Sequence, residues 1–170
     1  VHGDDRGYFM EAYRKDLLED FLNKKINFTQ DNESKSSLGV LRGLHYQLPP
    51  FAQSKLVRVI SGSVLDVVVD IRKNSPTYGN HLCIELSSEN QSQLFIPKGF
   101  AHGFIVLSNE AIFSYKVDKP YEPNYERGIA FDDKYLKIDW ILSRDIIQIS
   151  KKDTLLPKFS ESSSPFEYLS

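Results

Sequence analysis

Two of the four histidines in the sequence stand where they could transfer protons. His45 lies in the segment Leu41-Arg42-Gly43-Leu44-His45, and His102 comes just after the turn residues Pro97-Lys98-Gly99. Imidazole titrates near pH 6.5, so it can act as a base or an acid at neutral pH. Arg42 would face away from His45 in an ideal strand, but a bulge at Gly43 would turn both side chains to one side. This pattern favours a pocket holding a base beside a cation over the alternative of a hydrogen-bonded core or rim histidine.

Five charged residues lie within the apolar runs between these histidines, where an unpaired charge would be costly. They are Lys55, Arg58, Asp66, Asp70 and Arg72. Positions 66, 70 and 72 share one face of a strand, so that face carries three charges. The charges either line a cavity or form a buried ion network, and their convergence on the histidines favours the cavity. We therefore expect Lys55, Arg58 and Asp66 to contribute to one pocket.

The elements that position these residues are mainly short strands. Helical spacing of apolar residues, from Leu17 to Ile26, predicts one short amphipathic helix within residues 14–26. From Gly39 onward, short apolar runs are bounded by Gly, Pro, Asn or Ser. These runs predict strands at 55–60, 64–71, 82–86, 93–96, 103–107 and 111–117. Many short strands with frequent turns indicate a β-sandwich or a barrel-like jelly roll.

Length and composition narrow the class of protein. The chain has 170 residues, a formal net charge of −2 and one cysteine, Cys83. A chain of this size forms one domain, and its scattered basic residues predict neither nucleic-acid nor membrane binding. A single cysteine excludes a disulfide scaffold, and no apolar stretch approaches the roughly 18 residues of a membrane span. We expect a cytoplasmic protein, with a loose tail where Ser160–Ser164 begins the last part of the chain.

The histidine segments resemble the two signature motifs of cupins, small β-barrel proteins that often hold a metal. Gly39 lies six residues before His45, and the second segment reads Pro-x-Gly-x-x-His up to His102. Metal-binding cupins carry His-x-His with a downstream Glu in the first segment, whereas Gln47 replaces the second histidine here. Two neutral imidazoles are too few for a tight metal site. We therefore expect no metal and no cofactor, and a barrel that works by acid and base chemistry.

Longer motifs resemble one cupin-fold family, the dTDP-4-dehydrorhamnose 3,5-epimerases. The resemblance runs from Gly3 to Pro157. Its motifs are Gly3-Asp4-Asp5-Arg6-Gly7-Tyr8-Phe9, Gln30-Asp31-Asn32, Leu41-Arg42-Gly43-Leu44-His45-Tyr46-Gln47, Lys55-Leu56-Val57-Arg58-Val59, Phe100-Ala101-His102-Gly103-Phe104 and Ile138-Asp139-Trp140. The implied fold is a cupin-like jelly-roll β-barrel with one short N-terminal helix and peripheral helical turns. The resemblance implies an epimerase domain over residues 1–157 and leaves residues 158–170 as a loosely structured tail.

The resemblance also implies a substrate, a dTDP-linked 4-keto-6-deoxyhexose. The hydrogens on C3 and C5 of this sugar are acidic, because the anion left by deprotonation spreads onto the C4 carbonyl oxygen as an enolate. Inversion needs a base on one face, an acid on the other, and cationic or hydrogen-bonding groups at the enolate oxygen. No redox cofactor is required.

Catalytic roles follow from the resemblance residue by residue. His45 is the implied base, and Asp153 is its implied partner, which would orient the imidazole ring. Lys55 and His102 correspond to the groups that stabilise the enolate oxygen. Tyr115 corresponds to the acid on the opposite face, because a phenol stays protonated at neutral pH.

Substrate binding is implied at further positions. The resemblance assigns substrate contacts to Arg6, Phe9, Glu11, Gln30, Asn32, Arg42, Tyr121, Glu126 and Lys152. We add Gln47, Arg58 and Asp66, which the residue pattern places near the pocket. The family forms homodimers in which Arg6, Phe9 and Glu11 reach the neighbouring site. This chain departs from the family at Pro120, where the first residue of a usual Tyr-Tyr pair is replaced.

Other functions use the same residues. A 3-epimerase, a 5-epimerase or a 3,4-ketoisomerase would need much the same base and oxyanion site. A non-catalytic sugar-binding cupin and a metal-dependent cupin oxygenase represent two further classes. Hydrogen exchange at C3 and C5, turnover of nucleotide sugars and metal content separate these possibilities.

Overall fold

The structure, a computed structural model, describes residues 1–162 and 164–168. Within those residues it is mainly β, with one α-helix, α1 (Lys15–Leu22). The strands are β1 (His2–Asp4), β2 (Gly7–Phe9), β3 (Gln30–Ser37), β4 (Val40–Gln47), β5 (Lys55–Ser61), β6 (Ser63–Asp70), β7 (His81–Ser87), β8 (Gln93–Ile96), β9 (Phe100–Val106), β10 (Glu110–Val117), β11 (Glu126–Gly128) and β12 (Gln148–Ile149). Short 3₁₀ helices span Pro123–Tyr125, Asp153–Leu155 and Phe159–Glu161.

Two sheets pack face to face and form the predicted cupin-like jelly roll. One has the strand order β3-β10-β5-β8, and the other has the order β11-β4-β9-β6-β7 with β12 parallel to β4. Apolar side chains fill the space between the sheets. They include Val57 and Val59 from β5, Phe113 from β10, and Val64, Phe104 and Val106 from the second sheet. Strand alternation therefore directs every second residue of β5 and β10 into the barrel.

The outer face of the larger sheet is covered by the C-terminal part of the chain. Leu65, Val67 and Val69 of β6 pack there against a second core that includes Phe131 and Trp140. The Trp140 indole N–H donates to the carbonyl oxygen of Phe131 at 2.9 Å. Both faces of β6 are thus buried, which explains its nearly continuous apolar sequence.

The expected loose tail over residues 158–170 is wrong for the described part of that segment. Phe159 is buried, and Phe166 packs against the second core. The Lys73 N–H donates to the carbonyl oxygen of Phe166, and the Tyr168 N–H donates to that of Lys73, each at 2.9 Å. Aromatic anchors among the serines hold the segment, whereas serine content dominated the prediction. Residues 163, 169 and 170 lie outside the described residues.

Each of the six predicted runs corresponds to a strand, β5 to β10, and α1 lies within the predicted 14–26. The amphipathic helix leaves Leu17 and Phe21 exposed. In the described chain, no helix has both the length and the apolar content that crossing a membrane requires. Strand β3 was not predicted, because its sequence, QDNESKSS, is polar throughout.

Candidate active site

Two adjoining cavities open between the sheets, with volumes of about 520 and 330 Å³. His45, Lys55 and Tyr115 line both. The larger cavity is also lined by Arg42, His102, Lys152 and Asp153, and the smaller by Gln30, Asn32, Gln47, Tyr121 and Glu126. The structure therefore brings together twelve of the predicted site residues, including all five with implied catalytic roles.

An irregularity in β4 directs Arg42 and His45 into the same cavity. The pairing of β4 with β9 shifts register between these two residues. Gly43 lies between them with a φ of +121°, and a Cβ there would lie 2.5 Å from the Cα of Gly103. Only glycine fits this close approach in the left-handed region. The bulge predicted at Gly43 is confirmed.

His45 is held by a buried carboxylate. Its Nε2 lies 2.8 Å from Oδ1 of Asp153, and Oδ2 of Asp153 accepts the Gly43 N–H at 3.3 Å. Burial alone would raise the pKa of Asp153, but the hydrogen bonds from His45 and Gly43 outweigh it and lower the pKa below its usual value. The carboxylate is thus ionised and fixes the Nε2–H tautomer, so Nδ1 is the ring nitrogen that can accept a proton. The contact implied by the resemblance is present.

Lys55 and His102 face the same space from opposite sheets. Burial lowers the pKa of Lys55 to about 8, against the attraction of Asp66 and Glu126. Burial likewise lowers the pKa of His102, against the attraction of Asp66. His102 is opposite His45 in the β4–β9 ladder, and both side chains line the larger cavity. A cation and an imidazole can therefore both approach an oxygen held near His45.

Tyr115 lies on β10, opposite Val57 of β5 and Asn32 of β3. Burial raises the pKa of its phenol, against the opposing effect of Arg42. The phenol is therefore protonated at neutral pH and can donate. Together with His45 on the other sheet, it provides an acid and a base across one cavity.

Polar side chains at the mouth form a connected group. The Tyr121 hydroxyl donates to Oε2 of Glu126 at 2.8 Å, and Lys152 also pairs with that carboxylate. Burial would raise the pKa of Glu126, but hydrogen bonds from Lys152 and Tyr121 lower it below its usual value. Gln30 donates to Oδ1 of Asn32 at 2.7 Å. These groups suit a polar, charged ligand.

Two charged residues expected in the pocket lie elsewhere. Arg58 is three residues from Lys55, so it faces out of the barrel with Leu56 and Ile60, and its expected substrate contact is wrong. Asp66 is fully buried, lines neither cavity and accepts from Nε2 of His102 at 2.9 Å. It supports His102 from behind instead of contacting substrate.

Asp70, at the end of β6, and Arg72, just after it, form an ion network around a buried carboxylate, the alternative that was not favoured. Asp70 accepts from Arg72 at 2.9 and 2.7 Å, and also from the hydroxyls of Ser75 and Thr77 at 2.6 and 2.7 Å. This group lies outside both cavities. Its role is structural.

Gln47 lines the smaller cavity, but its amide hydrogens are already used. Nε2 donates to the carbonyl oxygens of Phe51 and Pro120, at 2.7 and 3.1 Å. The amide hydrogens of Gln47 thus bond to backbone groups, although the residue was expected to bind substrate. No three His, Cys, Asp or Glu side chains gather as a metal-ligand group in the part of the chain described.

The N-terminal residues Arg6, Phe9 and Glu11 are exposed and line neither of the two cavities of the site in their own chain. Arg6 lies in the turn between β1 and β2 and pairs with Asp4 at 2.5 Å. The hairpin presents its side chains to solvent along both strands.

Two serines that bond to site residues were not predicted. Ser36 accepts hydrogen bonds from the Arg42 guanidinium at 3.3 and 3.2 Å, and Ser150 accepts the Asp153 N–H at 3.1 Å. Short hydroxyl residues carry no pattern of their own in a sequence, so only their contacts identify them. Both hold a predicted site residue in place.

The combined geometry suits proton transfer next to a carbonyl group. A carboxylate-supported imidazole can remove a proton, and Lys55 with His102 can stabilise the oxygen that becomes negative. Tyr115 can return a proton to the other face. Arg42 and Lys152 add positive charge where an anionic part of the ligand would lie.

Comparison with known proteins agrees with this chemistry. The family model for dTDP-4-dehydrorhamnose 3,5-epimerase matches residues 1–161. The chain is 52% identical to the enzyme of that name from Shigella flexneri, over 94% of this chain and 87% of that protein.

Solved structures give the same result. A dTDP-6-deoxy-D-glucose-3,5-epimerase from Legionella pneumophila, in complex with dTDP-4-keto-L-rhamnose, is 44% identical with a TM-score of 0.95, covering 99% of this chain and 90% of that one. A 3'-monoepimerase from Streptomyces bikiniensis, in complex with dTDP-quinovose, is 30% identical with a TM-score of 0.86, covering 94% and 80%. By sequence, fold and site, the chain belongs to the dTDP-4-dehydrorhamnose 3,5-epimerase family.

Proposed function

We propose that this protein is a nucleotide-sugar isomerase that inverts C3 and C5 of a dTDP-4-keto-6-deoxyhexose, converting dTDP-4-dehydro-6-deoxyglucose to dTDP-4-dehydrorhamnose. The observation that carries the proposal is one cavity shared by the His45–Asp153 pair, Lys55 and Tyr115. Family membership and the ligands of the related structures supply the substrate class.

The first step is enolisation. His45 removes the proton from C3 or C5, and the electrons of that C–H bond move onto the C4 carbonyl oxygen. Asp153 stabilises the resulting imidazolium. Lys55 donates to the enolate oxygen, and His102, supported by Asp66, lies beside it. No redox change and no covalent intermediate are involved.

The second step sets the stereochemistry. Tyr115 delivers its proton to the carbanion carbon from the face opposite His45, and the C4 carbonyl re-forms. The configuration at that carbon is then inverted. Proton exchange with solvent returns Tyr115 to the phenol and His45 to the neutral base.

The nucleotide part of the substrate is assigned to the polar residues at the mouth. Guanidinium and ammonium groups of Arg42 and Lys152 suit the diphosphate, while Gln30, Asn32 and Glu126 suit the base and ribose. Arg6, Phe9 and Glu11 complete the site of a neighbouring subunit in a homodimer. Their exposed position, away from the two cavities of the site in their own chain, supports this assignment.

An epimerase that acts on a single carbon is the second candidate. It is favoured by the similarity to the 3'-monoepimerase and by Pro120, which alters the loop before Tyr121. Tyr115, retained in the cavity, favours inversion at both carbons.

The test follows C3 and C5 by NMR when the protein is mixed with dTDP-4-keto-6-deoxyglucose in D₂O. We expect deuterium at both carbons and a product with both centres inverted. His45→Asn should lower exchange at both carbons by a factor of about 10² or more, because the base is lost, with dTDP affinity largely unchanged.

Exchange at neither carbon with the wild-type protein would overturn the proposal. Exchange at C3 alone would establish the single-carbon alternative. Exchange at one carbon that persists in His45→Asn would show that a second base acts there.

A cytoplasmic location is part of the same proposal. The single cysteine, Cys83, fits a reducing compartment, and a nucleotide-sugar substrate is consistent with that setting. Fractionation of cells that express the tagged protein tests it.

A further inference from the structure

Gln47 is the last residue of β4 and is almost fully buried beside the smaller cavity. Its Nε2 donates to the carbonyl oxygens of Phe51 and Pro120, and its Oε1 accepts the Glu122 N–H at 2.7 Å. Both amide hydrogens and the amide oxygen are therefore bonded to backbone. The side chain joins the loop after β4 to the loop after β10.

The second of these loops carries Tyr121. Two of the Gln47 bonds reach Pro120 and Glu122, the residues on either side of Tyr121. The Tyr121 N–H in turn donates to Oε1 of Gln30 at 3.2 Å. Three backbone groups around Tyr121 are thus fixed by amide side chains, which places its ring at the mouth of the cavity.

Among amide, carboxylate and ammonium side chains, only the glutamine amide can make all three of the hydrogen bonds that Gln47 makes. The bridging side chain donates to two loop carbonyl oxygens and accepts one loop N–H, so it must donate and accept at once. A carboxylate lacks the donors, a lysine lacks the acceptor, and asparagine is one methylene shorter. The second ligand position of a metal-binding cupin is here committed to loop geometry.

We propose that Gln47 is a positioning residue that acts through Tyr121 and sets the affinity for the nucleotide sugar without taking part in proton transfer. This inference rests on the proposed function, because it takes the ligand beside Tyr121 to be part of that substrate. Gln47 bonds only to backbone groups of Phe51, Pro120 and Glu122 and not to His45 or Asp153, so the chemical step should not depend on it.

The experiment measures kcat and KM for dTDP-4-keto-6-deoxyglucose in Gln47→Met and Gln47→Asn. Met keeps the length and removes the hydrogen bonds, whereas Asn keeps the amide and shortens the side chain. Each should raise KM about tenfold, the effect of losing one or two hydrogen bonds, with kcat within about twofold of wild type. If Gln47→Met does not fold, Gln47→Asn provides the same measurement.

A double-mutant cycle with Tyr121→Ala separates positioning from a general structural effect. If Gln47 acts through Tyr121, then adding Gln47→Met to Tyr121→Ala should not raise KM further. Gln93→Met is the control, because Gln93 also donates from Nε2 to a backbone carbonyl oxygen, that of Ala12 at 2.8 Å, but lines neither of the two cavities. Its KM should rise less than about threefold.

Independent, additive effects of the two substitutions would overturn the inference, as would a fall in kcat at unchanged KM. An inactive wild-type protein would instead count against the proposed function. An active wild type with a normal KM in both Gln47 variants would remove the role of Gln47 alone.

Discussion

Lys55 combines a position in the cavity with a pKa lowered to about 8 by burial. Its ammonium group is mostly charged at pH 7 and loses its proton as the pH rises through about 8. An exposed lysine would keep its charge to about pH 10. The positive charge that would stabilise the enolate is therefore present below about pH 8 and is lost above it.

We predict that kcat falls as the pH rises through about 8, because neutral Lys55 cannot stabilise the enolate oxygen electrostatically. A profile of kcat against pH from about 6 to 9.5 measures this limb. In Lys55→Arg any residual kcat should lack the limb, since guanidinium stays charged above pH 12. A limb near pH 8 that remains in this variant would assign it to another group.

Substitution of Tyr115 should distinguish hydrogen exchange at C5 from inversion of that carbon. In Tyr115→Phe, His45 can still remove the C5 proton and exchange it for deuterium, but the proton then returns from the same face. Inversion at C5 should fall by roughly 10²–10⁴ while exchange continues, because one positioned acid is lost. NMR in D₂O measures both quantities in a single sample.

The control is Tyr121→Phe, which removes the hydroxyl that donates to Glu126 and keeps the ring. Its inversion rate should stay near that of wild type. If Tyr121→Phe blocks inversion and Tyr115→Phe does not, the acid is Tyr121.

Among the elements, the end of β6 and the C-terminal segment form a clamp around Arg72. Its guanidinium lies 4.5 Å from the ring of Phe100 and 5.0 Å from that of Tyr168, and it pairs with buried Asp70. Burial alone would raise the pKa of Asp70, but the hydrogen bonds from Arg72, Ser75 and Thr77 hold it well below its usual range. The contribution of Asp70 to stability is therefore present above about pH 4 and lost as the pH falls through the lower, folded-state pKa.

Arg72→Met should lower the free energy of unfolding at pH 7 by about 3 kcal/mol, because it leaves a buried carboxylate without its cation. Urea unfolding at pH 7 and pH 3 measures this, and the difference from wild type should shrink in acid. Lys35→Met, which removes an exposed pair with Glu110, should change stability by less than about 1 kcal/mol. A loss at pH 7 no larger than that of Lys35→Met would contradict the structural role of the clamp.

The alternating and helical spacing of apolar residues predicted the strands and the helix that carry such residues. It did not predict polar elements. Strand β3 pairs with β10 along its whole length, yet its polar sequence carries no alternation, so backbone pairing alone makes it a strand. The bulge at Gly43 was foreseen because Arg42 and His45 had to share a side. Arg58 was misplaced although its odd separation from Lys55 pointed to the opposite face.

Contacts between residues far apart in the sequence could not be predicted from residue spacing alone. Asp153 lies 108 residues from His45, and in the sequence only the family resemblance pairs them. The network around Gln47 was invisible in sequence because it joins a side chain to backbone groups. The sequence also could not distinguish two interpretations of the charged face that carries Asp66, Asp70 and Arg72. Charges on one strand face are compatible both with a cavity lining and with a buried ion network.

At the scale of the molecule, the exposed N-terminal hairpin makes the proposed dimer testable by subunit mixing. If the proposed dimer is correct, Arg6→Ala removes a group from the partner's site, and His45→Asn removes the proposed base from its own. A mixed dimer therefore contains one intact site. Refolding equal amounts together should restore roughly a quarter of wild-type activity at low substrate concentration, as random pairing of two subunits requires.

Each variant alone provides the baseline for this measurement. If Arg6 served the cavity of its own chain, neither subunit of the mixed dimer would contain a complete site. Activity no greater than the mean of the two separate variants would therefore contradict the shared site.

The segment after β11 both covers the outer face of the larger sheet and supplies Lys152 and Asp153 to the cavity. During translation, the barrel strands emerge from the ribosome well before this segment does. The base then lacks its carboxylate, and one face of β6 lacks its cover. A nascent chain that stalls before residue 153 is thus both inactive and apolar on its surface, which would make it a substrate for chaperones and proteases. The proposed catalytic pair of His45 and Asp153 is therefore complete only once this segment has been synthesised.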